Sequence, residues 1–185
     1  MTPHLTPPVS PEDHAQGPAE APVTLVEYGD YECPFCRKAY PVVEAVQRRL
    51  GEQLRVVFRH FPLTQLHPHA EHAAEVAEAA ADRGKFWLMH DLLFRNQRAL
   101  EDQNLVDYAA SLDIDAGWAA SALRAHAFAE RVREDFMSGV RSGVNGTPTF
   151  FINGVRHDGS WDEQSLVNAI RTASGVADDP ARAER

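Results

Sequence analysis

Hydrophobic positions along this chain follow two different rhythms. Val23–Tyr28 and Leu54–Phe61 are short, nearly continuous runs of apolar and β-branched residues, the pattern of buried strands. Between them Tyr40, Val43, Val46 and Leu50 recur at helical spacing. That helix opens at Pro34, where a missing N–H costs nothing, and Gly51 ends it. Pro41 is placed to kink it. Strand, helix and strand in close succession form a βαβ unit, which is parallel and right-handed.

From residue 67 the pattern turns wholly helical. An alanine-rich helix is predicted over residues 67–81 with Pro68 in its first turn, and a second over 85–94 with Phe86, Met89 and Leu93 on one face. Shorter helices follow at 104–112 and 116–123, with Asp102 and Asp115 as caps, and a longer one at 128–140. β character returns at Thr147, and Asn153-Gly154 between two β-favouring runs signals a hairpin. Ser160-Trp-Asp-Glu163 fits a capping box for a last helix ending near Ala173. Half of the 12 prolines fall between Pro3 and Pro22, which predicts a solvated, disordered arm. The expected organisation is an arm at 1–20, a first α/β part at 21–66, a helical insertion at 67–143, a second α/β part at 144–174 and a flexible tail at 175–185.

Composition narrows the function. At 185 residues and 44% hydrophobic content, one domain with an insertion can bury a proper core. A formal charge of −9 argues against nucleic acid or an anionic membrane surface as partner. No glycine-rich nucleotide motif is present, so no such cofactor is expected. The first residues lack the basic and apolar regions of a secretory signal, and no run is long enough to span a bilayer. A complete chain would then be cytoplasmic; a mature fragment of an exported protein would look the same. Monomer is the simplest default.

The chemistry concentrates at Cys33-Pro34-Phe35-Cys36, which holds the only two cysteines. They sit where a strand ends and a helix begins, among unpaired N–H groups and the positive end of the helix dipole. A thiolate there is stabilised, so Cys33 should be acidic and nucleophilic, with Cys36 one turn away and able to close a disulfide. Half of a zinc site is the alternative, with histidines completing it. A structural disulfide this local would close almost no loop. Glu27 is a carboxylate inside a buried strand, which needs a partner or a task. His60, His67, His69 and His72 cluster near the start of the insertion; His69 and His72 could pair on a metal, but capping and surface roles are preferred. His90 is expected to be a buried, hydrogen-bonded ring, and Trp87, Trp118 and Trp161 packing residues.

With Gly146-Thr147-Pro148-Thr149-Phe150-Phe151 and Phe86-Trp87…His90-Asp91-Leu92-Leu93-Phe94, the Cys33–Cys36 motif resembles the DsbA-like, BdbD-related family of thiol-disulfide oxidoreductases over residues 20–174. The resemblance implies a thioredoxin fold, α/β with a central mixed sheet and an all-helical insertion. It implies Cys33 as attacking thiolate, Cys36 as resolving thiol and Glu27 as the buried acid that shuttles the resolving proton. It implies a cis bond at Thr147–Pro148 and a substrate segment held beside Pro34, Phe35, Thr147 and Pro148. No metal or other cofactor is implied beyond the redox pair; the partners would be protein or small-molecule thiols and disulfides, and an unidentified redox partner. Phe35 departs from the Pro-His seen between the cysteines of strongly oxidising members, so a weaker oxidant is expected.

Overall fold

The computed structural model describes residues 3–175. Its centre is one five-stranded sheet in the order β1–β3–β2–β4–β5, formed by β1 (His14–Gln16), β2 (Val23–Gly29), β3 (Leu54–His60), β4 (Thr149–Ile152) and β5 (Val155–His157). β2 and β3 run parallel, from Val23 opposite Leu54 to Gly29 opposite His60, and α1 (Pro34–Leu50) crosses between them. This is the predicted βαβ unit. β4 joins β2 antiparallel and β5 closes the hairpin. Asn153 and Gly154 both take positive φ, 47° and 79°, as the tight hairpin turn requires.

Alternation along β2 separates two cores. Val23 and Leu25 pack with Val43 and Val46 of α1 and with Leu166 and Ile170 of α7 (Glu163–Ala173). Val26 and Tyr28 face the other way, into a cluster with Phe61, Val144 and Phe151. Glu27 therefore shares the α1 face with Leu25.

The insertion comprises α2 (Ala70–Ala81), α3 (Phe86–Arg95), α4 (Asp102–Ser111), α5 (Ala116–Arg124) and α6 (Ala129–Arg141). Small alanine side chains let α3, α4, α5 and α6 all pack on α2. A third cluster joins Ala73, Val76, Met89, Leu93 and Phe94 of the insertion to Tyr31, Cys33, Cys36 and Phe58. The cysteines thus lie on the seam between sheet and insertion. Met89 and Leu93 are fully buried there, each such side chain stabilising by about 1.5–3 kcal/mol.

Local chemistry shifts several predicted boundaries. Residues 67–69 form a turn rather than the first turn of α2, because the His69 N–H is taken by Glu32 Oε2 at 2.7 Å and the His67 ring turns back to Asp30. Asp102 lies in the first turn of α4, with Glu101 as its N-cap. Asp115 caps α5 as predicted, accepting the Trp118 N–H at 2.6 Å. The last helix is capped by Asp162 rather than by a Ser160–Glu163 box: its carboxylate accepts the Ser165 N–H at 3.0 Å, and a charged N-cap also answers the helix dipole.

The expected disorder of residues 1–20 is corrected over the described part of that arm. Leu5 is buried and donates its N–H to Gly154 O at 2.8 Å, while Thr6 N–H reaches Ser142 Oγ at 2.8 Å. β1 pairs antiparallel with β3. Arg59, buried on β3, grips Asp13 through Nε at 2.7 Å and Nη2 at 2.9 Å, and Nη1 and Nη2 reach the carbonyls of Pro7 and Pro8. A proline-rich arm has little entropy to lose, and a buried guanidinium needs several acceptors; together these hold it down. The predicted tail falls, beyond Gly175, outside the described residues. Among the described residues no helix is long and apolar enough to cross a membrane.

Candidate active site

β2 ends at Gly29, and Asp30, Tyr31 and Glu32 carry the chain to Cys33, the N-cap of α1. Cys33 N–H donates to Asp30 O at 3.1 Å, and Cys33 O accepts the Arg37 N–H at 3.1 Å, which sets the two thiols one turn apart. Both are buried and unbridged. The Cys33 thiol is held down to about 5, chiefly by a hydrogen bond from the Cys36 thiol, which outweighs the opposing effect of burial. The backbone N–H groups of Cys36 and Phe35 add to it. Burial pushes Cys36 well above the usual thiol range, reinforced by its bond to Cys33 and by Glu27. The two shifts run in opposite directions, favouring the thiolate at Cys33 and the thiol at Cys36. The helix N-terminus contributes as expected, but the neighbouring thiol contributes more.

Cys33 Sγ lies 3.4 Å from the carbonyl oxygen of Thr147, and the Thr147–Pro148 peptide is cis. Thr147 Oγ1 is buried without a hydrogen-bond partner. Pro34 fills the first turn of α1, and the Phe35 ring beside it is 57% exposed, with Lys38 Nζ 5.6 Å from its centroid. An apolar ring thus stands open to solvent next to the thiolate.

Glu27 is buried, and its Oε1 has no hydrogen-bond partner. Burial, with the Cys33 charge second, raises its carboxyl to about 8. Gly29 helps enclose it: a Cβ at that position would come within 2.3 Å of the Phe58 ring, so only glycine lets that ring close over the strand. A cavity of about 340 Å³ reaches Glu27 between α1 and α3, bordered by Tyr40, Glu44, Gln47, His90 and Asp91.

The family model described as thioredoxin (Thioredoxin_4) matches residues 9–172. The chain belongs to the thioredoxin family. The crystal structure of oxidised BdbD from Bacillus subtilis superposes with a TM-score of 0.81 at 23% identity, over 94% of this chain and 96% of that one. A thioredoxin-like oxidoreductase from Silicibacter pomeroyi DSS-3 gives 0.79 at 26% identity, over 91% and 95%. The fold is the DsbA-like thioredoxin fold, as the motifs implied. Among curated proteins, the Na(+)/H(+) antiporter NhaA 1 of Salinispora arenicola (strain CNS-205) is 48% identical over 167 residues, which are 90% of this chain and 26% of that protein. The chain spans about a quarter of the length of such curated relatives.

This thioredoxin-family protein holds its cysteine loop with residues that no periodicity marks. Gln97, just beyond α3, donates to Tyr31 O at 2.7 Å and to Cys33 O at 2.9 Å. Asp30 accepts from the Leu63 N–H at 2.9 Å and the Glu32 N–H at 2.8 Å, and pairs with His67 Nδ1 at 2.7 Å. Tyr31 is buried with its ring on Phe58 and its hydroxyl 3.1 Å from His90 Nδ1. An Asp three residues after a buried acid is the one hint the sequence offers.

The histidines divide differently from the expectation of caps and surface groups. His60 is buried, its Nε2 2.8 Å from Glu78 Oε1, which also meets His14 Nε2 at 2.7 Å. His90 is the buried, hydrogen-bonded ring foreseen, held down to about 3 by burial and hence neutral. His69 and His72 do not converge as a pair; His72 instead meets Asp102 at 2.6 Å.

Proposed function

We propose that this chain is a dithiol-disulfide oxidoreductase acting on protein or small-molecule thiols through Cys33 and Cys36. In the oxidising direction a substrate thiolate attacks Cys33 of the disulfide and Cys36 leaves as a thiolate, taking a proton from Glu27. A second substrate thiolate then attacks the substrate sulfur of the mixed disulfide and releases Cys33 as a thiolate. Two electrons pass from the substrate dithiol to the pair. In the reducing direction Cys33 attacks, Glu27 takes the Cys36 proton, and Cys36 resolves the mixed disulfide.

The observation that carries this reading is the pair of unbridged thiols one turn apart at the N-terminus of α1, with Cys33 Sγ 3.4 Å from Thr147 O. The opposed shifts of the two thiols, Cys33 down to about 5 and Cys36 up, accord with it. A low pKa makes Cys33 a good leaving group and keeps it ionised at neutral pH. Phe35, Pro34, Thr147 and Pro148 form the surface against which an extended substrate segment would lie, with backbone of residue 147 offering strand-like pairing. The metal-carrier alternative needs a third ligand at the two sulfurs, and among the described residues the convergent ligand groups include neither cysteine.

The test is reduction of insulin disulfides and oxidation of a model dithiol peptide, with Cys33→Ser and Cys36→Ser as controls. Loss of both activities in Cys33→Ser, with a trapped mixed disulfide in Cys36→Ser, supports the reading. Full activity in Cys33→Ser would end it.

A second reading draws on the relatives. Matching segments occur inside longer chains named Na(+)/H(+) antiporter. A redox module dedicated to one such partner would show little exchange with insulin or peptides yet form a mixed disulfide with that partner.

A further inference from the structure

Two groups of metal-ligand side chains converge away from the cysteines among the described residues, His14/His60/Glu78 and His72/Glu75/His126. The first is self-contained. Glu78 Oε1 meets both imidazoles, and His14 is stacked on Phe86 with ring centroids 3.6 Å apart.

The second group is not. Glu75 lies on α2 with its side chain wholly buried. Oε1 pairs with His126 Nδ1 at 2.9 Å, but Oε2 is buried with no hydrogen-bond partner. A carboxylate oxygen removed from water and left unpaired is costly unless something positive meets it. Solvent can deliver that charge, because the His126 ring is largely exposed and His72 is half-buried, with the two rings 5.2 Å apart. One nitrogen of each imidazole and one Glu75 oxygen lie within 4.8 Å of one another. His72 Nδ1 also pairs with Asp102 Oδ1 at 2.6 Å, the carboxylate–imidazole contact that orients metal-binding histidines.

We propose that His72, Glu75 and His126 form a binding site for a divalent transition-metal ion of the zinc type, tying α2 to the turn between α5 and α6. Two imidazoles and one carboxylate suit zinc and its neighbours, whereas calcium and magnesium take all-oxygen sets. Tetrahedral zinc places its ligand atoms roughly 3.3 Å apart, given bonds of about 2.0–2.2 Å. Rotation of the exposed His126 side chain closes that difference. The ion would give the Glu75 carboxylate, whose Oε2 has no hydrogen-bond partner, a fixed positive charge in place of a proton on His126, and it would brace the insertion without drawing on either thiol.

The test uses the full chain carrying Cys33→Ser and Cys36→Ser, so that the redox pair cannot chelate. Zinc chloride is titrated by calorimetry and by competition with a chromophoric chelator. One zinc per chain is expected, with a rise in melting temperature on binding. His126→Asn keeps a donor for Glu75 and tolerates the positive φ of 49° at that residue, but removes the imidazole. Loss of even an outer partner costs roughly 10–100-fold in metal affinity, so His126→Asn should weaken binding at least to that extent, and His72→Ala likewise. The inference is overturned if the cysteine-free protein binds no stoichiometric zinc, or if it binds zinc with undiminished affinity after either histidine is replaced.

Discussion

The sulfur of Cys33 lies 3.4 Å from the carbonyl oxygen of Thr147, although 114 positions separate them in the chain. The contact joins the two α/β parts on either side of the helical insertion. It brings the start of α1 against the segment that leads into β4. The Cys36 thiol and the amide N–H groups of Phe35 and Cys36 favour the thiolate there, whereas the Thr147 carbonyl accepts only from the protonated thiol.

Alkylation of the reduced protein by iodoacetamide should therefore occur at Cys33 and rise to a plateau as pH passes through about 5. Cys36 should remain unmodified at neutral pH, as mass spectrometry of the tagged peptides would report. Linkage has a definite sign. A thiol depressed on folding stabilises the protein above its unfolded pKa near 9, and that contribution is lost as pH falls through about 5. Denaturant unfolding should show the reduced form gaining on the oxidised form between those two values. Equal alkylation of both cysteines would contradict the assigned roles.

Glu27 has the opposite sign. A carboxyl raised from 4.5 to about 8 favours the folded state below 4.5, and that advantage fades as pH rises through 8. Glu27→Leu, which deletes the buried acid, should gain stability relative to wild type progressively across this window, by up to a few kcal/mol. Glu27→Gln should slow resolution of a preformed mixed disulfide by on the order of 100-fold near pH 7, where a general base would otherwise work. Stopped-flow tryptophan or quench-labelling kinetics would read it. An unchanged resolution rate would remove Glu27 from the proton transfer.

Phe35 adds an exposed ring but no side-chain donor to the thiolate. Phe35→His should place an imidazole near Cys33, stabilise the reduced pair and make the disulfide a stronger oxidant. A tenfold change in the exchange equilibrium corresponds to about 30 mV. Equilibration in glutathione buffers, with free thiols counted by mass-tagged alkylation, should show a rise of at least about that size.

The sequence disclosed the fold where hydrophobic rhythm was long and unbroken. β2, α1 and β3, the Asn153-Gly154 hairpin and the alanine-rich α2 all declare themselves by period or turn chemistry. Cys33 and Cys36 are marked by their spacing and Glu27 by its place in a buried strand, whereas the Thr147–Pro148 step comes only with the family resemblance. Gln97 and Asp30 could not be found this way. Each acts through a single side chain lying in a turn, bonded to backbone far away in sequence, and no local pattern encodes such a bond. His60 looked like a surface histidine because its partner Glu78 lies one element further on. The arm misled for a related reason. Its composition is that of a solvated chain, while what holds it is a guanidinium on β3 together with buried Leu5 and the pairing of β1 with β3.

That guanidinium gives the last prediction. Arg59 is buried and satisfied by Asp13, by Tyr28 Oη at 3.0 Å and by the carbonyls of Pro7 and Pro8. Burial alone would raise the Asp13 carboxyl, but its bonds to Arg59 hold it below the usual value. Asp13→Ala leaves a buried cation without its counter-charge, which costs about 3–5 kcal/mol. For a chain of this length that corresponds to a fall in melting temperature of roughly 6–20 °C. The depressed carboxyl also means the pair's contribution is present above pH 3.8 and lost as pH falls below it, so wild type and Asp13→Ala should converge in acid. Limited proteolysis should then cut the variant first within residues 3–13, and a variant as stable as wild type at pH 7 would show that the arm is held by Leu5 and β1 alone.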